Sequence, residues 1–231
     1  MPAFVFVHSP LVGPLTWVLV VEEMRRRNIS AIAPGLPDSR SITPPYWQRH
    51  AEAVARAIES APDTHSLILV GHSGGGPLLP AIRQATGCTV AADIFVDAII
   101  PQDGHSRLDL FESREAVKQF RASASDGLLP IWGNAEILSN VITNSERRAQ
   151  FAAELRRLPL AVYEEPIPVF AGWPDAPCGY LRLSPTYQPQ MAQAQRRGWA
   201  CAELESGHFH MLNEPVAVTN AILDLAERLI L

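Results

Sequence analysis

Short apolar runs alternate along the chain with stretches whose apolar positions recur at helical spacing. Phe4–Val7 is apolar throughout and predicts a first strand. From about Leu15 to Arg27, the residues Trp17, Val20, Val21 and Met24 share one face, which predicts a helix. Ile29–Ala33 is short and apolar and stops at Pro34-Gly35, whereas Tyr46–Ser60 repeats Trp47, His50, Val54 and Ile58 as a helix does. Leu67–Val70 has the continuous apolar character of a strand buried on both faces. Pro77–Thr86 then predicts a helix and Ala92–Ile100 a strand. This β-α-β-α-β-α-β order implies a mostly parallel central sheet with helices on both faces, an α/β fold.

The rhythm breaks after Pro101. Gln102–Pro166 predicts helices, one of them starting at Asn144-Ser145-Glu146 and turning Phe151, Leu155 and Leu158 inward. Gly179–Leu183 and Trp199–Leu204 predict two more strands, and Val218, Ala221, Ile222, Leu225 and Leu229 mark a final amphipathic helix. The expected organisation is a core of residues 1–101 and 167–231 with a helical cap, residues 102–166, inserted in it. Prolines gather in connections such as Ala33–Pro45 and Pro159–Pro177, which suits rigid loops around a site.

Composition narrows the function classes. The 231 residues are 47% hydrophobic and 19% charged, so the chain can hold a core without staples. Nineteen Lys and Arg against 24 Asp and Glu give a net charge of −5 and no basic field to attract nucleic acid. Cys88, Cys178 and Cys201 are odd in number, far apart and without a CxxC, so neither a disulfide framework nor a cysteine zinc site is expected. No apolar run approaches the ~20 residues of a membrane helix, and no basic segment precedes Phe4 as in a signal peptide. The expectation is a cytoplasmic protein with no metal, no organic cofactor and no nucleic-acid or membrane partner.

The chemistry concentrates in Gly71-His72-Ser73-Gly74-Gly75, between the buried strand Leu67–Val70 and a helical segment. This G-x-S-x-G in a strand–turn–helix context is the nucleophile-elbow pattern. A sharp turn there demands small neighbours and exposes the Ser73 oxygen above the sheet. A serine hydroxyl is a weak nucleophile at neutral pH and needs a base. His208, in Ser206-Gly207-His208-Phe209-His210 after the last predicted strand, is the candidate; His210 is its competitor. His72 adjoins the nucleophile, but its side chain should diverge from it.

With these features the chain resembles the α/β-hydrolase superfamily, most of all its small esterases and hydroxynitrile lyases. The resemblance rests on Phe4-Val5-Phe6-Val7-His8, on Gly71–Gly75, on the inserted cap, and on Gly207-His208-Phe209 followed by Glu214-Pro215. It implies a third member, an acid that orients the histidine. The family's usual place for it, after the penultimate strand, reads Tyr180-Leu181-Arg182-Leu183-Ser184-Pro185-Thr186-Tyr187 and holds no carboxylate. The family's other location, the end of the strand after the elbow helix, holds Asp97 in Ile94–Ile100. A charge in so apolar a run is costly without a partner, and a catalytic histidine would be one. Asp103 and Asp93 are weaker candidates.

The resemblance also implies an oxyanion hole, with Gly74 N–H as one donor. The other usually comes from the loop after the first strand, here His8-Ser9-Pro10-Leu11-Val12-Gly13. Pro10 falls at the donor position and has no N–H, so the Leu11 amide is the substitute, or else the Ser9 hydroxyl. Pro10, His72, Trp132 and Leu128 are the candidate substrate-lining residues, with Leu129, Ile131, Ile137 and Phe151 as further apolar cap positions. The implied activity is a serine hydrolase that cleaves an ester, thioester or lactone of a small molecule through an acyl-serine. An acyltransferase would use the same triad, with an acyl carrier protein as candidate partner for a basic patch such as Arg25-Arg26-Arg27. A non-catalytic ligand receptor is the third class. Phe209 stands where the similar hydroxynitrile lyases carry Lys, which argues against cyanide chemistry.

Overall fold

The structure is a computed structural model and describes residues 2–61, 65–111 and 113–230. Met1 and Leu231, the two ends of the expected core, and Glu112 of the expected insertion lie outside the described residues. The chain begins with β1 (Ala3–Val7), α1 (Leu15–Arg26), β2 (Ala31–Ile32), α2 (Tyr46–Glu59), β3 (Ser66–Ser73), α3 (Leu79–Ala85) and β4 (Thr89–Ala98). It continues through α4 (Arg114–Ala122), β5 (Leu128–Leu129), α5 (Ala135–Val141), α6 (Ser145–Glu154), β6 (Leu158–Pro159) and α7 (Ala161–Glu164). β7 (Cys178–Arg182), α8 (Gln188–Arg196), β8 (Ala200–Glu203), α9 (His210–Asn213) and α10 (Pro215–Ile230) complete it.

Six strands form one sheet in the order β2-β1-β3-β4-β7-β8, and every pairing is parallel. Alternation along the strands feeds two cores. Phe4, Phe6, Ile68, Val70, Ile94 and Val96 face α1 and α10, where Trp17, Val20, Met24, Ile222 and Leu225 close over them. Val5, Val7, Leu67, Leu69 and Phe95 face α2, α3 and α8, meeting Val54, Ile58, Leu79, Ile82 and Met191. Both faces are covered, which is why these strands read as unbroken apolar runs. Among the described residues no helix is long and apolar enough to cross a membrane.

The sequence predicts a helical cap over 102–166, but the segment between β4 and β7 is not wholly helical. Besides α4–α7 it contains an antiparallel pair, with Leu128 opposite Pro159 and Leu129 opposite Leu158. Leu129 and Leu158 turn into a small core of their own with Leu108, Val162 and Tyr163. Strands of two residues are too short to show a period. The two ends of the segment meet where His105 pairs antiparallel with Ile167. Its other half packs on the main core through Leu138, Ile142, Phe151 and Leu155, and Asn144 caps α6 through Arg147 N as its sequence suggests.

Helices α1 and α2 open after Pro14 and Pro45, which have no capping side chain. Glutamates from the segment between β4 and β7 take up their free N–H groups. Glu154 Oε2 accepts from Leu15 N at 2.9 Å, and Glu165 accepts from Tyr46 N and Trp47 N at 2.8 and 2.6 Å. A carboxylate is favoured there by the unpaired donors and by the helix dipole.

Candidate active site

The sharp turn at the end of β3 sets Ser73 at φ 54°, in the left-handed region that a non-glycine residue enters only when its surroundings hold it there. Glycines make this possible. A Cβ at Gly75 would lie 2.7 Å from the carbonyl oxygens of Val7 and His8, and one at Gly76 would lie 2.4 Å from that of Ile99. The chain then runs through a short 3-10 turn, Gly76–Leu78, before α3 begins. Ser73 is half-buried and lines a cavity of about 510 Å³ together with Leu11, Phe111, Trp132, Tyr163 and His208. Its Oγ is hydrogen-bonded to the Tyr187 phenol at 3.1 Å, not to His208. Catalytic hydrogen bonds are often made only once substrate is bound.

His208 sits on the loop between β8 and α9. Its Nδ1 donates to Asp97 Oδ2 at 3.0 Å, which directs Nε2 away from the acid. Aromatic groups hold the ring: Tyr187 lies parallel to it at 5.0 Å and 4°, the His72 ring lies 4.3 Å away, and Phe209 meets it edge-on at 4.9 Å. His72 also hydrogen-bonds through Nε2 to the His208 carbonyl at 3.0 Å. Burial, and next the neighbouring His208, hold His72 well below the usual histidine range, so it is a neutral donor. His210 does not line the cavity.

Asp97 is fully buried and stands at φ 41°. The β3–β4 register slips here, with His72 opposite Val96 but Ser73 opposite Ala98, so Asp97 is the extra residue of a bulge. Alternation would put residue 97 on the face of Asp93 and Phe95. The bulge instead brings its carboxylate over the end of β7. There Oδ1 accepts from Leu183 N at 2.6 Å and Ser184 N at 3.1 Å, while Oδ2 accepts from Ser184 Oγ at 2.6 Å and from His208. The stretch after β7 that lacks a carboxylate thus supplies three donors to one. Asp103 is exposed and accepts from Val169 N. Asp93 is buried in the opposite layer, between Arg83 and Trp173 Nε1.

The loop after β1 is pinned by His8. Leu36 N donates to its Nε2 at 3.2 Å, so Nδ1 carries the proton and donates to Ser9 O at 2.8 Å. Burial lowers the pKa of His8 to about 4 and keeps the ring neutral. Leu11 N is directed at Ser9 Oγ, 3.3 Å away. Gly74 is buried and its carbonyl accepts from Arg107 Nε at 2.8 Å. Among the four candidate lining residues, only Trp132 borders the cavity that holds Ser73. His72 lies beneath it with no exposed surface, because the turn sends its side chain into the α1 layer beside Trp17. Pro10 faces a different pocket, beside Pro37 and Glu154. Leu128 is taken up by the β5–β6 pair, away from the cavity.

Sequence reasoning missed Tyr187, Tyr163, Arg107 and Ser184. No local pattern announces them, since each reaches the site from a distant element. The one available signal was the stretch Leu183-Ser184-Pro185-Thr186-Tyr187, which carries polar groups at the end of β7, the strand paired with the Asp97 strand β4.

Comparison with known proteins agrees with this architecture. Residues 4–222 match the model of the alpha/beta hydrolase family. Methylesterase 1 of Arabidopsis thaliana is 29% identical over 109 residues, 45% of this chain and 41% of that protein. The match thus spans about two-fifths of the length of that relative. Among solved structures, an extracellular alpha/beta-hydrolase from a Paenibacillus species, described as sharing structural and functional homology with tobacco salicylic acid binding protein 2, superposes with a TM-score of 0.79. It is 18% identical, over 97% of this chain and 99% of its own. A pyrethroid hydrolase from Sphingobium faniae superposes with a TM-score of 0.74 at 17% identity, over 98% and 97% of the two chains.

Proposed function

The chain belongs to the alpha/beta hydrolase family, and we propose that it is a serine esterase acting through Ser73, His208 and Asp97. The observation that carries this reading is the buried carboxylate of Asp97, 3.0 Å from His208 Nδ1, with Ser73 strained at φ 54° in the same cavity. Asp97 fixes the histidine tautomer with the proton on Nδ1, which leaves Nε2 free to act as base. When an ester enters, Ser73 Oγ leaves Tyr187 and attacks the carbonyl carbon while His208 Nε2 takes its proton. Gly74 N–H stabilises the oxyanion of the tetrahedral intermediate. His208 returns the proton to the alkoxide, which departs as an alcohol. Water then attacks the acyl-serine, with its proton passing through His208 to Ser73, and the acid leaves.

The lining of Leu11, Phe111, Phe120 and Trp132 suits an apolar acyl group. Methyl esters are the first substrates to test, given the match to a methylesterase. Thioester or lactone cleavage and transfer to another acceptor would proceed from the same acyl-serine. The test is a panel of methyl and p-nitrophenyl esters, acyl thioesters and lactones, with an added alcohol or amine acceptor, assayed on the wild type and Ser73→Ala. Ester turnover that Ser73→Ala abolishes while remaining folded is expected. Turnover that survives in Ser73→Ala would refute the reading.

A further inference from the structure

The loop after β1 leaves the oxyanion one donor short. Pro10 has no N–H, and the Leu11 amide is directed at Ser9 Oγ. Gly74, whose N–H is the first donor, has two hydroxyls against its Cα. A Cβ built there would lie 2.6 Å from Tyr163 Oη and 3.0 Å from Ser9 Oγ. The two hydroxyls lie 3.2 Å from each other. Tyr163 is only 3% exposed, yet it lines the cavity with Ser73 and His208.

We propose that the Tyr163 phenol donates the second hydrogen bond to the oxyanion, with Ser9 supporting it from behind. This rests on the serine-esterase reading above. Leu11 N–H donates to Ser9 Oγ, whose own proton is then free to point at Tyr163 Oη. That turns the phenol proton toward the substrate, and each donor in such a chain strengthens the next. No proton is transferred. The phenol stays protonated through the cycle, and burial pushes its pKa up.

The surroundings hold the phenol at this point. Phe120 packs on its ring at 4.9 Å, and the Arg107 guanidinium lies 5.6 Å from the ring centroid. Arg107 is fully buried and donates both to Gly74 O and to Val162 O, each at 2.8 Å. One cation therefore ties the peptide after the nucleophile to the residue before Tyr163. A preorganised donor of this kind needs no rearrangement as charge develops. The arrangement also explains why residue 74 is glycine, since any side chain would collide with the phenol.

The test compares Tyr163→Phe with the wild type on the best ester of the panel, and adds inhibition by a trifluoromethyl ketone, whose adduct with Ser73 carries the oxyanion. A fall in kcat of about 100- to 1000-fold is expected, with little change in KM. Ketone affinity should fall in parallel, with the fold retained by circular dichroism. A kcat within a few-fold of the wild type overturns the proposal. Should Tyr163→Phe not fold, a crystal structure of the wild-type ketone adduct decides. The proposal expects the oxyanion within about 3.0 Å of Tyr163 Oη and is overturned by one well beyond hydrogen-bond reach. Wild-type turnover that is absent, or insensitive to Ser73→Ala, would instead sink the esterase reading itself.

Discussion

Asp97→Asn separates the orienting role of the acid from its structural one. The asparagine can keep its carbonyl oxygen on Leu183 N and Ser184 N, the two amides that Asp97 Oδ1 now serves. Its NH2 must then face Ser184 Oγ and His208 Nδ1, which Oδ2 now accepts from. Ser184 can rotate and become the acceptor. His208 can accept only by moving its proton to Nε2, the nitrogen that should take the proton of Ser73. The wrong tautomer costs about 10⁴-fold in kcat, as in serine proteases with the same exchange, or roughly 5.4 kcal/mol at 1.36 kcal/mol per tenfold. Stability should fall too, but by less than the four bonds to the carboxylate would suggest, because their lost charge assistance is offset in part when a charge no longer has to be buried. The assay is kcat/KM on the best ester, beside a thermal melt, with Asp103→Asn as the control. The Asp103 carboxylate is exposed and outside the site, so its variant should match the wild type. Activity of Asp97→Asn within tenfold of the wild type, or a ranking in which Asp103→Asn is the worse, would refute the assignment.

Tyr187→Phe should keep the stack on His208 and lose the hydroxyl that engages Ser73. A neutral hydrogen bond is worth about 0.5–1.5 kcal/mol, so a fluorophosphonate should label Ser73 roughly 2- to 12-fold faster, and slower labelling would contradict that account. Asp93 gives a pH test of the opposite core layer. Burial, working against Arg83, raises its pKa above the ordinary carboxylate range to about 6. The folded state therefore takes up this proton before the unfolded chain does. The group's contribution becomes more stabilising as pH falls from about 6 to about 4, by about 3 kcal/mol in all. Urea unfolding at pH 7 and pH 4.5 should show Asp93→Asn losing ground to the wild type at the lower pH. A difference that does not change with pH would refute this.

Much of the architecture was legible because burial on two faces leaves a strong mark. The unbroken apolar runs at Phe4–Val7 and Leu67–Val70 admit few readings other than central strands, and the glycines around Ser73 follow from the crowding of one turn. That Asp97 needs a partner was legible for a related reason, since a carboxylate is costly alone in an apolar run, and its place is the one the resemblance implied. What the sequence concealed depends on distant segments meeting. Ser184 donates to Asp97 from 87 residues away, and Arg107 bridges Gly74 and Val162. Periodicity is blind to such contacts. Of the candidate lining residues, Pro10, His72 and Leu128 do not border the cavity that holds Ser73. Adjacency to Ser73 in sequence becomes divergence at a sharp turn, and half-buried Leu128 in its short strand pairs with Pro159 instead of facing the cavity.

The carboxylates of Glu154 and Glu165 bear on how this scaffold can be altered. Replacing the segment between β4 and β7 with a foreign one would strip the opening turns of α1 and α2 of their acceptors. A successful chimera must carry over both acids, or give each helix a start of its own.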